Sequence, residues 1–235
     1  EVYKITNTLI LNEAFQYHKL FGDCTPNLNY ANEGIHFVNL TSNRNKPLFD
    51  IRCSGVHFYG LSFNSFSFSD YWNKTFITTE NFATADKDII IENCYINGFR
   101  TGIKFNGRGL QIKRCELGGI QTLAELSWIT TGNTGQQGDN YGMRAIEICD
   151  NRIHNVHMLV NLISGNAQGM RICNNYSDNG MCTLISSTSD CDNVSIIDNY
   201  WFKPKKSKIS YEDIEFKEDS YSDISLKGDN ILFSV

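Results

Sequence analysis

Ile146-Glu147-Ile148-Cys149-Asp150-Asn151-Arg152-Ile153 carries two patterns at once. Apolar residues alternate with polar ones, the period of a strand. An Asp-Asn pair then interrupts the alternation, and that pair suits a tight turn. The same form recurs as Ile89–Ile96, Leu110–Leu117, Met170–Ser177 and Val194–Trp201, always apolar, x, apolar, x, x, Asn or Cys, x, then a closing residue. Val56-His57-Phe58 and Ile35-His36-Phe37 fit more loosely, and Leu9-Ile10-Leu11 and Ile231-Leu232-Phe233 weakly.

With the third residue as anchor the copies fall at Leu11, Phe37, Phe58, Ile91, Ile112, Ile148, Ile172, Ile196 and Phe233, in steps of 21 to 37 residues. Leucine-rich and ankyrin repeats hold a tighter period. A coil of short strands tolerates insertions, because the turns between strands face solvent. The expected fold is therefore all-β, a single-stranded right-handed parallel β-helix of about nine coils with three short strands each. Ile103-Lys104-Phe105, Val160-Asn161-Leu162 and Thr183-Leu184-Ile185 supply a second strand per coil. Like residues on neighbouring coils, ~4.8 Å apart, should stack as ladders. The sixth position, Asn151, Asn175 and Asn199, is expected to take the left-handed turn conformation that asparagine tolerates. A sandwich, the rival architecture, rarely repeats Asn or Cys at one offset from an Ile-x-Ile pair.

The chain is expected to be one domain over residues 1–235, cut from a longer polypeptide, since it lacks an initiator Met and stops in an apolar run. Within it, 1–34 reads as a capping segment, 118–142 as loop insertions and 203–230 as a long loop insertion. Asn12 to Gly22 has the signals of a short helix, with Asn12 as cap. A net charge of −5 argues against a nucleic-acid partner. The basic run Lys203–Lys208 precedes an acidic stretch from Glu212 to Asp223 and reads as a solvated loop. No apolar stretch approaches the ~20 residues of a membrane span, so no membrane insertion is expected.

Eight cysteines are present. Cys94 and Cys115 share the sixth position of successive copies, and Cys149 and Cys173 share the fourth. This is ladder behaviour rather than a disulfide framework. Stacked thiols point to folding in a reducing cytosol. With no Cys-x-x-Cys and no histidine cluster, no metal site is expected, and no cofactor.

The Asn-containing copies, such as Asp192-Asn193-Val194-Ser195-Ile196-Ile197-Asp198-Asn199, resemble coils of the pectate-lyase-like superfamily, and of bacteriophage tailspikes in particular. The resemblance runs from about Ile35 to Trp201. The Asn-Thr-Asp, Asp-Asp and Gly-His-Gly motifs of polygalacturonases are absent, as is the Arg-Pro-x-x-Arg motif of pectate lyases, so no catalytic residue carries over. The resemblance implies a homotrimer in a phage virion, or an extracellular protein, that binds and often cleaves a bacterial surface polysaccharide.

After the Asn turn, outward positions form two columns: Tyr95, Glu116, Arg152, Tyr176, Tyr200, and Asn97, Gly118, His154, Asp178, Phe202. Rings can cover the apolar faces of sugars while polar groups bond hydroxyls. Tyr95, Arg152, His154 and Tyr176 are thus candidate substrate-binding residues, with Trp128 and Tyr141 from the insertions as further platforms. An ordinary β-surface or a trimer interface reads the same way. Glycoside hydrolysis needs two carboxyls, ~5–5.5 Å apart for retention and ~6.5–9.5 Å for inversion. Glu125, Asp139, Glu116 and Asp178 are the candidates, Glu125 and Asp139 projecting from the insertions. Glu116 beside Arg152, and Glu147 between Gln111 and Arg171, also read as surface ion pairs. A lyase would instead use a base such as His154 or His157, with Arg152 neutralising a uronate. Three functions stay open: a tailspike-type depolymerase, a non-enzymatic adhesin or stalk, and a secreted polysaccharide lyase or hydrolase.

Overall fold

The computed structural model describes residues 2–22, 35–39, 46–65, 74–82, 86–127, 143–163, 167–179, 183–187, 191–192, 194–203, 214–215, 224–227 and 230–233. They form a parallel β-solenoid. Every strand pairing among them is parallel, and each strand pairs with one two to four strands on rather than with its sequence neighbour. That is the hydrogen-bonding pattern of a chain that winds.

The strands line up in three faces. The repeat face holds His57–Tyr59, Asp86–Glu92, Arg108–Lys113, Met143–Cys149, Ala167–Cys173 and Val194–Ile197, with Lys19–Phe21 and Ile224–Lys227 at its ends. The post-turn face begins with Val2–Ile5 and His36–Asn39 and continues through Ser62–Asn64, Tyr95–Asn97, Tyr176–Asn179 and Tyr200–Lys203 to Asn230–Phe233. The third face holds Leu9–Leu11, Phe49–Ile51, Thr75–Thr78, Thr101–Asn106 and Thr183–Ser187. Two long strands, Glu116–Ser127 and Arg152–Leu162, run unbroken from the post-turn face into the third and join them as one sheet. Strand residues Ile103, Ala124, Val160 and Ile185 stack in register, as the second-strand pattern requires.

The core changes character along the axis. Its first coils are aromatic, with Phe37 stacked on Phe63 and Phe63 against Phe76 at 5.3 and 4.6 Å between ring centroids. Later coils bury Ile, Leu and Val, among them Ile146, Ile148, Ile153, Val156 and Ile172. Large rings and branched aliphatics both satisfy an interior that excludes water.

Asparagine at the sixth position acts inside the fold rather than as the left-handed residue. Positive φ falls one residue earlier, at Asn93, Arg114, Asp150, Asn174 and Asp198 (51 to 59°). That corner turns the sixth side chain inward. Asn151, Asn175 and Asn199 are buried. Asn151 Nδ2 donates to Asn175 Oδ1 and Asn175 Nδ2 to Asn199 Oδ1, both at 2.9 Å. The same amides donate to the carbonyls of Ile112, Ile148 and Ile172. Each side-chain oxygen also accepts a main-chain N–H from the preceding coil: Cys115 to Asn151, Asn151 to Asn175, Asn175 to Asn199. Cys94 N–H continues the series to Cys115 Sγ at 3.5 Å. The ladder thus satisfies donors that a buried corner would strand.

Other expectations change. Leu11 and Phe37 do not share the repeat face. Leu11 pairs with Ile51 on the third face and Phe37 with Phe63 on the post-turn face. Phe233 pairs with Lys203, also post-turn. Leu20 and Leu226 take the repeat-face places instead. Apolar-x-apolar marks a strand on any face, and only the Asn or Cys offset marks which. The helix expected over Asn12–Gly22 is one 3-10 turn, Glu13–Phe15, capped by Asn12 Oδ1 accepting from Ala14 N–H. Lys19–Phe21 is already strand, so residues 2–21 supply a strand to each face. Gly118 to Ser127, read as insertion, is strand, and strands Ile214–Glu215 and Ile224–Lys227 lie within 203–230. Cys149 and Cys173, read as free thiols, are joined as a disulfide between adjacent coils, while Cys53, Cys94 and Cys115 are free and buried. Burial raises the thiols of Cys53 and Cys115.

Candidate functional site

The post-turn face brings the first expected column together in register: Tyr95 beside Glu116, Glu116 beside Arg152, Arg152 beside Tyr176, and Tyr176 beside Tyr200. The Tyr176 and Tyr200 rings stack with centroids 4.9 Å apart and planes within 8°. Strand spacing dictates that separation, and it covers one face of Tyr176 while the residue stays 45% exposed.

Glu116 departs from expectation. It points outward by alternation, yet it is 2% exposed. Its partner is His154, whose Nε2 lies 3.5 Å from Glu116 Oε1, rather than a surface pairing with Arg152. His154 belongs to the second column. Gly118 stands between Asn97 and His154 in register. A Cβ at Gly118 or Gly119 would come within 3.1 or 3.0 Å of Asn97 Oδ1. The two glycines make room for the Asn97 carboxamide. Gly119 also takes φ +55° at the bend from post-turn to third face, a place filled by Gly98 and Asn155 on the flanking coils.

This column then slips. Ile153 pairs with Ser177 but His154 with Asn179, so Asp178 falls in a bulge instead of beside His154 in strict register. By strand spacing the Asp178 backbone is two steps, ~9.6 Å, from the Glu116 strand. Bulges re-aim side chains and recur beside binding sites.

Glu125 does not join this group. Nine residues along the same strand, it lies past the bend on the third face, between Lys104 and Asn161. There Thr101 Oγ1 donates to it at 3.0 Å and Lys104 Nζ stands 3.6 Å away. Glu147 sits in register between Gln111 and Arg171 as expected, and Lys113 Nζ approaches it at 2.6 Å. Asp139, Trp128 and Tyr141 lie outside the described residues.

The repeat face carries a cluster that the sequence reading passed over. Glu92 receives Arg114 and, at 3.0 Å, His57 Nε2. Burial would raise the Glu92 carboxyl, but Arg114 and His57 together hold it below its ordinary value. Burial, with Lys19 nearby, lowers His57. The signal was the register of His57 with Ile90 and Tyr59 with Glu92, visible only once Phe58 and Ile91 are aligned. Each member is engaged by another, which is the structure of a surface ion network. Among the described residues no group of three or more His, Cys, Asp or Glu is placed to hold a metal, and no helix is long and apolar enough to cross a membrane.

No protein-family model matches the chain, and neither the curated proteins nor the solved structures yield a match.

Proposed function

We propose that this chain is a right-handed β-helix that binds a bacterial surface polysaccharide along its post-turn face and cleaves it there, in the manner of a phage tailspike. One observation carries the reading: a tyrosine stack with Tyr176 exposed, a guanidinium, and a buried Glu116 paired with a half-buried His154 share one face, on adjacent coils. A polymer lying along the axis would meet Tyr200, Tyr176, Arg152 and then Glu116 with His154. Stacked rings suit pyranose faces. A carboxyl 3.5 Å from an imidazole has a proton partner at hand, and the half-buried His154 is the member of the pair that a glycosidic oxygen would meet. Asp178, whose backbone lies about two strand steps from the Glu116 strand, is the acid of this face that would be tested as the second carboxyl. The handedness follows the strong rule for parallel crossovers. The polysaccharide class, the trimer and the virion rest on the resemblance of the coils to tailspikes.

A second reading, a non-enzymatic adhesin, is favoured by Glu125 lying on a different face, which removes one of the carboxyls a hydrolase would use here. Incubation of the protein with capsular and O-antigen polysaccharides separates the two. New reducing ends, lost in Glu116→Gln, support hydrolysis. Absorbance of unsaturated uronate would mark a lyase instead. Tight binding with neither product would leave the adhesin, and no binding to any polymer would overturn both.

A further inference from the structure

The charge of the ligand can be read from the same face, on the premise that the face binds a polysaccharide. Three of the seven described arginines have acidic partners: Arg52 pairs with Asp50 through two nitrogens, Arg108 with Asp86, and Arg114 with Glu92. Arg152 is exposed and makes no ion pair or side-chain hydrogen bond among the described residues. Its nearest acid along the column, Glu116, is buried and turned to His154. On its other side stands Tyr176, held flat by Tyr200. An unpaired guanidinium next to a fixed ring is a fork that matches a planar oxyanion, and the ring beneath gives it a sugar to hang from.

We propose that the polymer bound on this face is anionic, with Arg152 pairing an acidic group on the sugar that rests at Tyr176. The chain's net charge of −5 repels polyanions in general. Binding of one therefore needs a local cation in the right place, and Arg152 supplies it. The shared chemistry is a pair of anionic oxygens, met by a uronate or sialate carboxylate and equally by a phosphodiester or sulfate.

The test is a titration of the full chain with matched polymers at fixed ionic strength: a polyuronate, polysialic acid, a phosphodiester-linked glycan, a sulfated glycan and neutral dextran. The anionic polymer that binds is measured again after carboxyl reduction, which separates carboxylate from phosphate or sulfate. Arg152→Gln should weaken it by about 10-fold or more, the worth of a charge-assisted pair. Tyr176→Ala should weaken the native and the carboxyl-reduced polymer alike. Arg152 is on the surface, so its variant keeps the wild-type melting profile and the loss is one of binding. A neutral polymer bound as tightly as any anionic one, or an Arg152→Gln protein that binds the anionic polymer unchanged, overturns the inference and leaves polysaccharide binding standing. Failure of every polymer to bind overturns the premise along with it.

Discussion

Replacing Asn175 by alanine tests the physical basis of the fold. Asn175 is 1% exposed and makes four side-chain hydrogen bonds. Its Nδ2 donates to Ile148 O at 2.8 Å and Asn199 Oδ1 at 2.9 Å, and its Oδ1 accepts from Asn151 N and Nδ2 at 3.1 and 2.9 Å. Asn199 Oδ1 still accepts the Asn175 main-chain N–H in the variant, and Asn151 Nδ2 still reaches Ile112 O. The main-chain N–H of Asn151 loses its acceptor, and the Ile148 carbonyl loses a donor. A stranded buried group costs about 1–3 kcal/mol and each of the other bonds about 1 kcal/mol, so Asn175→Ala should lose about 4 kcal/mol. Asn175→Cys should lose about half as much, because a thiol already accepts the equivalent N–H from Cys94 to Cys115. Asn175→Asp should be the worst at neutral pH, since it sets a buried charge against two acceptors. Urea unfolding followed by circular dichroism, compared at a common slope, gives the differences. An alanine variant within 1 kcal/mol of wild type, or a cysteine variant no better than alanine, would refute the ladder as the element that fixes the corner.

Three further outcomes follow. The Cys149–Cys173 bond closes a loop of 24 residues' separation, worth about 3 kcal/mol on the chain-entropy account, so dithiothreitol should lower the unfolding midpoint of wild type but not of a Cys149→Ser, Cys173→Ser protein. Lys87 is fully buried, with Nζ donating to the carbonyls of Thr79 and Phe82 and lying 4.7 Å from the Phe82 ring; burial brings it from 10.5 to about 8. Because the folded state holds this proton less tightly than the unfolded state does, the penalty is complete below pH 8 and is relieved as pH rises toward 10.5. Wild type should therefore gain ~3 kcal/mol on Lys87→Met across that window, measured by denaturation at each pH. Glu125→Gln keeps an acceptor for Thr101 and loses only the Lys104 pairing, so it should cost under about 1 kcal/mol and leave polymer binding unchanged; a loss of binding would move the site toward the third face.

How much of this was legible in the sequence differs between strands and corners. The alternation in Leu110–Ile112, Ile146–Ile148, Met170–Ile172 and Val194–Ile196 places those residues in one face and one register, and the structure stacks them so. The period carries that information because a one-residue slip would turn every apolar side chain to water. At the ends it fails. Leu9–Leu11, Ile35–Phe37 and Ile231–Phe233 alternate equally well, but the chain there crosses other faces. Nor does composition tell strand from insertion. Gly118-Gly119 looks like a loop in a linear reading, whereas here glycine serves a bend inside a 12-residue strand.

The site shows the sharper limit. Column membership was readable for Tyr95, Glu116, Arg152, Tyr176 and Tyr200, because register alone decides it. The state of each member was not. Outward on a strand is a direction, and whether water lies in that direction depends on neighbours that alternation does not rank. Glu116 and Arg152 are adjacent in one column, yet one is buried against His154 and the other exposed. The difference comes from the next column over, which supplies His154 to Glu116. The bulge at Asp178 has a similar origin, since one extra residue between Ile153 and His154 on the partner strand leaves no mark on hydrophobic pattern. For Glu116 the register places His154 one coil away and two positions on, and that contact, which alternation does not rank, withdraws the acid from water.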